Sequence, residues 1–251
     1  MTFRFIILAA GKGTRMGAEV PKALVPVGGK PILQHLHESV MASGVDGIPI
    51  VVVGHERAQL CAVFNGECEY VVQEKQLGTA HAVQVCQDAV NDADAIIVLY
   101  GDHPFVSAEA LQRLAKLHEE SHGVITMMTT VVPSFDEWEN YRGWGRILRD
   151  AHGHINAIRE YKDAMESERE IKEVNPGLYC FDTKWLWENI GQVKNINASE
   201  EYYLTDLVEL AVAEGHEIAT TSIAPEESVG VNTPQELEIA EELLKQRNGS
   251  A

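Results

Sequence analysis

The residues best suited to chemistry form a glycine-rich loop directly after the first apolar segment of the chain. The loop is Leu8-Ala9-Ala10-Gly11-Lys12-Gly13-Thr14-Arg15-Met16-Gly17. Small residues and glycines let the backbone approach a ligand closely and point its N–H groups at phosphate. Residues 1–31 contain five basic side chains and one acidic one, a local charge of +4 within a chain of net charge −18. The loop is therefore predicted to bind a polyphosphate.

The spacing of the glycines in this loop does not match either of two well-known phosphate-binding motifs. The Walker P-loop needs Gly-x-x-x-x-Gly-Lys followed by Ser or Thr, which Gly11-Lys12-Gly13-Thr14 does not provide. The dinucleotide fingerprint needs its third glycine three residues after the second, and Gly17 comes one residue late. Pro21 would also interrupt a helix that began at Thr14, because proline lacks the amide donor. A P-loop kinase is disfavoured, and the loop alone leaves the ligand open.

The continuation of this loop makes a resemblance specific. It is Pro21-Lys22-Ala23-Leu24-Val25-Pro26-Val27-Gly28-Gly29-Lys30-Pro31, in which two lysines flank turns stiffened by proline. Residues 8–31 resemble the signature of sugar-nucleotide pyrophosphorylases, the nucleotidyltransferases that join a nucleoside triphosphate to a sugar 1-phosphate. The resemblance implies catalytic roles for Arg15 and Lys22 in stabilising the triphosphate. The nucleotide contacts that it implies in the loop are Leu8, Ala9, Ala10, Gly11, Gly13 and Thr14.

A second motif joins a predicted strand to a predicted helix, with Thr79 as the expected N-cap. It is Gln73-Glu74-Lys75-Gln76-Leu77-Gly78-Thr79-Ala80-His81-Ala82. This segment resembles the Gln-x-x-Gln-Leu-Gly-Thr-x-His-Ala motif of the uridylyltransferases that make UDP-N-acetylglucosamine. The match implies that Gln73, Gln76 and Gly78 contact the uracil ring and that Thr79 lies near the sugar.

A carboxylate, Asp102, follows an apolar segment at the sheet edge where α/β proteins bind nucleotides. Mg²⁺ typically uses one or two such oxygen ligands together with substrate phosphates. The family has Tyr-Gly-Asp here as its metal site, which implies Mg²⁺ binding and catalysis by Asp102, with Asn232 as a second metal ligand. The sugar contacts that it implies are Thr79, Tyr100, Gly145, Glu160 and Asn175. Singly, several of these residues also fit turns or surface charge, and their shared order in the chain supports the resemblance.

Alternating apolar and helical segments must position these residues. Strands are predicted at residues 3–8, 49–53, 70–73 and 95–100, and helices at 32–43, 58–64 and 80–90. This alternation predicts an α/β fold with a Rossmann-like, mostly parallel sheet flanked by helices. By resemblance, the fold is of the nucleotide-diphospho-sugar transferase type.

The second half of the chain predicts a small mixed or antiparallel extension. Strands are predicted at residues 124–132, 145–149, 154–159, 174–181 and 217–222, with a hairpin turn at His152-Gly153-His154. Helices are predicted at 108–120, 185–190, 204–214 and 234–247. We interpret residues 1–251 as a single nucleotidyltransferase domain. In it, residues 1–130 mainly form the nucleotide-binding core, 131–232 mainly the sugar-binding part and 233–251 a C-terminal helix.

The composition disfavours several other classes of protein. The 38 acidic against 20 basic residues disfavour binding to nucleic acid or to an anionic membrane. The apolar run at residues 5–10 is too short for a transmembrane helix or a signal-peptide core, so a cytoplasmic protein is expected. The four cysteines form no Cys-x-x-Cys and are expected to be buried thiols.

The resemblance covers essentially the whole chain. It matches the uridylyltransferase half of the bifunctional N-acetylglucosamine-1-phosphate uridylyltransferases, without the acetyltransferase repeats. It implies Mg²⁺-dependent uridylyl transfer from UTP to a sugar 1-phosphate, with N-acetylglucosamine 1-phosphate as the favoured acceptor. Pro176 and Tyr161 replace the family's usual threonine and histidine, so the sugar is more open than the nucleotide. Cytidylyl, thymidylyl or guanylyl transfer, a non-catalytic sugar-nucleotide sensor and a homo-oligomer all remain open.

Overall fold

The computed structural model describes residues 1–11, 13, 16, 20–54, 57–64 and 66–249. Its strands are β1 (Phe3–Leu8), β2 (Pro26–Val27), β3 (Lys30–Pro31), β4 (Ile50–Val53), β5 (Glu69–Val72), β6 (Ala95–Tyr100), β7 (Ile125–Val131), β8 (Arg146–Arg149), β9 (Ile155–Arg159), β10 (Glu173–Val174), β11 (Tyr179–Asp182) and β12 (Ala219–Ser222). Its helices are α1 (Ile32–Ser43), α2 (Arg57–Phe64), α3 (Thr79–Gln84), α4 (Ala108–Ser121), α5 (Glu166–Arg169), α6 (Thr183–Asn189), α7 (Asp206–Ala213), α8 (Pro225–Ser228) and α9 (Pro234–Gly249). In the described part of the chain, no helix is long and apolar enough to cross a membrane.

The first half of the sheet is parallel, as predicted. Strands β5, β4, β1 and β6 are neighbours in that order, and each adjacent pair runs parallel. The chain builds β4 and β5 on one side of β1 and then returns to place β6 on the other. Such a reversal opens a crevice at the carboxyl ends of the two strands beside it, which here are β1 and β6.

The second half of the sheet is mostly antiparallel and forms the predicted mixed extension. From β6 the order continues through β11, β7, β10, β8 and β9, and every one of these pairs is antiparallel. Strand β12 pairs parallel with β7 outside this path. The predicted hairpin turn at residues 152–154 joins β8 to β9, with Gly153 at a φ of +88°.

Helices cover both faces of the sheet because its central strands are apolar on both sides. In β1, Phe5 and Ile7 pack in one cluster with residues of α1, α2 and α4. Ile6 points the other way and packs with residues of α3, α6 and α7. All three side chains are fully buried. A strand with both faces buried is apolar nearly throughout, and this signal located β6 and β1, in which Arg4 is the one charged residue.

Two predicted elements are wrong in their extent. The strand predicted at 174–181 is interrupted between β10 and β11, where Pro176 lacks the N–H of a ladder residue and Gly177 has a φ of +76°. The helix predicted at 80–90 ends at Gln84, after which the chain tightens into a 3-10 turn at Gln87–Ala89.

The predicted N-cap is also wrong. Thr79 is the first helical residue of α3, Gly78 is the N-cap, and the Thr79 hydroxyl instead accepts a hydrogen bond from the Leu204 amide at 2.9 Å. The contact partner comes from a distant part of the chain, so local sequence preferences did not reveal it.

Candidate active site

The glycine loop is fixed to the carboxyl end of the parallel strands. The Ala9 amide donates to the Val52 carbonyl at 2.9 Å, and the Gly101 amide donates to the Leu8 carbonyl at 3.0 Å. The Gln76 side-chain amide donates to the Ala10 carbonyl. These bonds hold the backbone of residues 8–10, at the start of the loop, along one wall of the crevice.

Gly13 brings the loop against Lys22. Its φ of +59° lies in the left-handed region, and a Cβ at this position would come within 2.6 Å of Lys22 Cβ. Any side chain here would therefore be strained and would push against Lys22. The contact places the glycine loop directly beside the lysine that follows it.

Lys22 meets two residues from distant parts of the chain. Its Nζ donates to Asp102 Oδ2 at 2.6 Å and to Asn232 Oδ1 at 2.6 Å. The Val231 amide donates to the Asp102 carbonyl at 2.9 Å, which joins the segments that carry the two acceptors. The backbone N–H of Asn232 in turn donates to Glu236 Oε2 at 2.6 Å, at the start of α9. The predicted catalytic lysine and both predicted metal ligands thus form one cluster.

Asp102 is held as a carboxylate. Burial opposes its ionisation, but the charge of Lys22 and the hydrogen bond from Lys22 outweigh burial and lower the pKa of Asp102 to about 2. Its Oδ1 atom is buried and has no hydrogen-bond partner among the described residues. Such an orphaned anionic oxygen is costly unless a cation or donor meets it.

The donor set of this cluster fits a divalent cation. Asp102 Oδ2 and Asn232 Oδ1 already converge on one positive group, the Lys22 ammonium, and Asp102 Oδ1 lacks a partner. Carboxylate and amide oxygens are the ligands that Mg²⁺ prefers. Among the described residues, no three His, Cys, Asp or Glu side chains are arranged to hold a metal ion by themselves. Substrate phosphates would therefore have to complete the coordination shell.

A cleft of about 490 Å³ opens beside the cluster on the side of the second predicted motif. Gln73 is buried, and its side-chain amide donates to the Gly78 carbonyl at 3.1 Å. Gly78 has a φ of +118°, and a Cβ there would lie 2.5 Å from the Tyr202 carbonyl oxygen. The Tyr202 amide donates to the Leu77 carbonyl at 2.8 Å, so the segment before α7 closes this side of the cleft.

A smaller pocket of about 190 Å³ adjoins this cleft, because Tyr100, Asp102 and Asn232 line both. Asn175 lines the smaller pocket from the interruption between β10 and β11, where its backbone N–H donates to the Gly145 carbonyl at 2.9 Å. The interruption therefore serves to present Asn175 to the pocket. The metal-type cluster lies at the junction of the two pockets.

Glu160 forms another wall of the small pocket, and its carboxyl is poised near neutral pH. Burial, together with the nearby acidic side chains Asp163, Asp206 and Glu201, raises the pKa of Glu160 to about 7. The Thr205 hydroxyl donates to Glu160 Oε1 at 3.3 Å and opposes this rise. Near pH 7 this carboxyl can therefore exist in either protonation state.

The structure brings together every predicted site residue that it describes. The two pockets are lined by Leu8, Ala9, Ala10, Gly11, Gly13, Lys22, Gln73, Gln76, Gly78, Thr79, Tyr100, Asp102, Gly145, Glu160, Asn175 and Asn232. Thr14 and Arg15 lie outside the described residues. The chemical roles of all these residues remain predictions.

Seven residues that line the two pockets were not predicted as site residues, and three of them carry a charged, imidazole or indole side chain. Glu201 lines the larger pocket, and His103 and Trp144 line the smaller one. His103 directly follows Asp102, and Trp144 directly precedes Gly145. Proximity to a predicted site residue could have indicated His103 and Trp144, whereas Glu201 is not adjacent to any predicted site residue in the sequence.

Residues 5–169 match a family model described as the MobA-like NTP transferase domain. A protein of Geobacillus sp. (strain WCH70), named Bifunctional protein GlmU, is 42% identical over 245 residues, which cover 96% of this chain and 52% of that protein. A protein of the same name from Brevibacillus brevis (strain 47) is 41% identical over 244 residues, with coverages of 96% and 51%. This chain therefore spans about half the length of the curated relatives it matches, and the predicted resemblance to part of a bifunctional protein is confirmed.

Solved structures share the fold. A UDP-glucose pyrophosphorylase complexed with UDP-glucose is similar with a TM-score of 0.79 and 17% identity, over 98% of this chain and 100% of that one. A CMP:2-keto-3-deoxy-manno-octonic acid synthetase complexed with CTP has a TM-score of 0.71 and 19% identity, over 98% and 100%. The predicted fold class is thereby confirmed.

Proposed function

The chain belongs to the MobA-like NTP transferase family and is a nucleotidyltransferase, and on this premise we propose that it transfers a uridylyl group from UTP to a sugar 1-phosphate. The favoured acceptor is N-acetylglucosamine 1-phosphate, which gives UDP-N-acetylglucosamine and pyrophosphate. The observation that carries this proposal is the Lys22, Asp102 and Asn232 cluster at the junction of a nucleotide-sized cleft and a smaller pocket. A reaction that joins two anionic substrates needs its positive charge at that junction.

In the proposed reaction, a phosphate oxygen of the sugar 1-phosphate attacks the α-phosphorus of UTP. A new P–O bond forms there as the bond between the α-phosphorus and the bridging oxygen of pyrophosphate breaks. No side-chain nucleophile is required, because the attacking phosphate is already ionised at neutral pH. The protein would therefore accelerate the reaction by positioning the two substrates and neutralising charge that develops on the phosphates.

Lys22 is proposed to neutralise the charge that develops on the reacting phosphates, and Arg15 in the glycine loop is proposed to assist it. Mg²⁺ held by Asp102 and Asn232 would supply further positive charge at the reacting phosphates. Lys22 then exchanges its bonds to Asp102 and Asn232 for bonds to phosphate oxygens. The backbone N–H groups of the glycine loop complete the phosphate site.

The two pockets suggest how base and sugar are distinguished. The Gln73 amide nitrogen is engaged by Gly78, which leaves its carbonyl oxygen to accept the N–H of uracil. In the smaller pocket, an ionised Glu160 can accept hydrogen bonds from sugar hydroxyls, and the Asn175 side chain can bind the N-acetyl group or a hydroxyl. A cytoplasmic location belongs to the same proposal, since both substrates are phosphorylated metabolites.

The test is pyrophosphate release by the purified protein with Mg²⁺, using each of the four ribonucleoside triphosphates and dTTP. Each nucleotide is combined with N-acetylglucosamine 1-phosphate, with glucose 1-phosphate or with no acceptor. We expect release with UTP and the N-acetylated sugar. Preference for another nucleotide or sugar would contradict the substrate assignment, and no release with any pair would favour a sugar-nucleotide sensor.

A further inference from the structure

We propose that His103 is a third protein ligand of the divalent cation, through Nε2, beside Asp102 and Asn232. This inference rests on the proposed function in one respect, namely that a divalent cation binds at Asp102. It adds a nitrogen donor to a site otherwise built from oxygen, and so it changes which metals the protein is expected to prefer.

The orientation of the imidazole is fixed by its other nitrogen. His103 is 3% exposed, and its Nδ1 lies 2.9 Å from the Ser228 carbonyl oxygen. A carbonyl can only accept a hydrogen bond, so Nδ1 carries a proton, and when the ring is neutral Nε2 presents a lone pair. Histidines that bind metals commonly donate their second N–H to a carbonyl in this way, which fixes both tautomer and ring orientation.

His103 Nε2 lies close to the orphaned oxygen of Asp102. His103 Nε2 lies 3.4 Å from Asp102 Oδ1, the buried atom that has no hydrogen-bond partner among the described residues. When the ring is neutral, both atoms are acceptors, and a cation between them would satisfy both. Ligands on adjacent corners of an octahedron with bonds of roughly 2.1 Å lie about 3 Å apart, which is close to the observed separation.

Asn232 lies on the same side of Gly230 as the imidazole. A Cβ at Gly230 would lie 3.4 Å from His103 Nε2 and 3.5 Å from Asn232 Nδ2, so both side chains pack against this glycine. Trp144 packs edge-on against the His103 ring with centroids 5.5 Å apart and limits its rotation. His103, Asp102 and Asn232 also line the same pocket, which gives a cation access to all three.

A nitrogen ligand favours transition metals over Mg²⁺. Imidazole binds Mn²⁺, Co²⁺ and Zn²⁺ more strongly than it binds Mg²⁺, which prefers oxygen. We therefore expect His103→Gln to weaken Mn²⁺ binding to the complex with UTP about tenfold or more, and Mg²⁺ binding by less than about threefold. A histidine that only packs the pocket would change both affinities alike.

Pulsed EPR of Mn²⁺ bound to the full chain with UTP gives a readout that is independent of catalysis. Wild type should show the coupling of a directly bound imidazole nitrogen, and protein labelled with ¹⁵N-histidine should show that coupling changed to the ¹⁵N pattern. The coupling should vanish in His103→Gln and persist in His118→Gln, a matched variant of a buried histidine in α4. Circular dichroism of each variant checks that it is folded, and the isotope experiment on wild type does not depend on any variant folding.

Three results would overturn the inference. Mn²⁺ that binds wild type and not Asp102→Asn, but shows no nitrogen coupling, would remove His103 from the shell and leave the proposed function standing. Nitrogen coupling that survives His103→Gln in a folded protein would do the same. Absence of bound Mn²⁺ in wild type would overturn the metal site itself. Failure of the proposed transfer is measured separately, as absence of UTP-dependent pyrophosphate release.

Discussion

Replacing Glu160 by glutamine should make the protein more stable at alkaline pH and change the pH dependence of its unfolding. Burial raises the pKa of this carboxyl from an ordinary 4.5 to about 7 in the folded protein. Because the folded pKa lies above the unfolded one, the stability that the protonated carboxyl provides is complete below about pH 4.5. That stability is lost as the pH rises through 7, where the buried group must ionise.

The size of the effect follows from the two pKa values. The difference between 4.5 and about 7 corresponds to up to about 3 kcal/mol in the free energy of unfolding. Glutamine does not ionise, so Glu160→Gln should gain up to this amount relative to wild type between about pH 5 and about pH 9. Burial also raises the pKa of Asp206, to about 6, but Asp206 is present in both proteins and its contribution largely cancels.

Urea unfolding of both proteins, followed by circular dichroism at several pH values, measures this difference. Glu242→Gln in α9 is the matched control, because Glu242 is exposed, and its difference from wild type should not vary with pH. A difference between wild type and Glu160→Gln that stays constant across this range within about 0.5 kcal/mol would refute the reasoning. It would mean that solvent reaches the Glu160 carboxyl and that burial does not control its ionisation.

Other predictions concern activity and the loop backbone. Lys22→Ala and Asp102→Asn should each lower kcat at least about 100-fold in steady-state assays, because each removes charge stabilisation at the reacting phosphates. The circular dichroism spectra of both variants should be unchanged. The kcat of the control variant Lys30→Ala should stay within about twofold of wild type. A kcat close to that of wild type in either variant would remove that residue from the mechanism. Gly78→Ala should lower the free energy of unfolding by about 2 kcal/mol or more in urea titrations. Its Cβ would lie 2.5 Å from the Tyr202 carbonyl oxygen, and the backbone at this position has a φ of +118°. An unchanged free energy of unfolding would show that the Tyr202 segment moves to accommodate the Cβ. The KM for the sugar 1-phosphate should rise as pH falls below about 7 and lose this dependence in Glu160→Gln, and a parallel profile in both proteins would exclude Glu160 from sugar binding.

The parts of the fold that were predicted correctly are those whose signal is local. Strand β6 is a continuous apolar run, β1 is apolar except for Arg4, and α1 ends at a glycine with a φ of +66°, so sequence alone placed their ends at the observed residues. The interruption between β10 and β11 and the early end of α3 were missed. The first was missed although Pro176 and Gly177 mark it in the sequence, and the second depends on i to i+3 bonds that periodicity does not distinguish from a helix.

In the candidate site, too, features with a local sequence signal were predicted and contacts between distant segments were not. Spacing and charge located the glycine loop, but Lys22 contacts Asp102 and Asn232 across 80 and 210 residues of chain, and only the resemblance linked them in advance. His103 was missed because its significance depends on a distance, 3.4 Å to Asp102 Oδ1, and on a bond to Ser228 in another segment. Neither the distance nor the bond has a pattern in the sequence.

The charge arrangement of the cluster argues that metal and nucleotide bind together. In the structure, the Lys22 ammonium is committed to Asp102 and Asn232, and its charge offsets that of the carboxylate. A triphosphate that arrived alone would have to break these bonds, would leave Asp102 without its counterion, and would approach a chain of net charge −18. If a divalent cation replaces the ammonium on the two oxygens, Lys22 becomes available to phosphate and the cluster becomes net positive. UTP should therefore bind weakly when EDTA removes divalent cations, and calorimetry should show each ligand raising the affinity for the other by the same factor. Equal UTP affinity with and without divalent cation would mean that Lys22 is not held in place by these two acceptors.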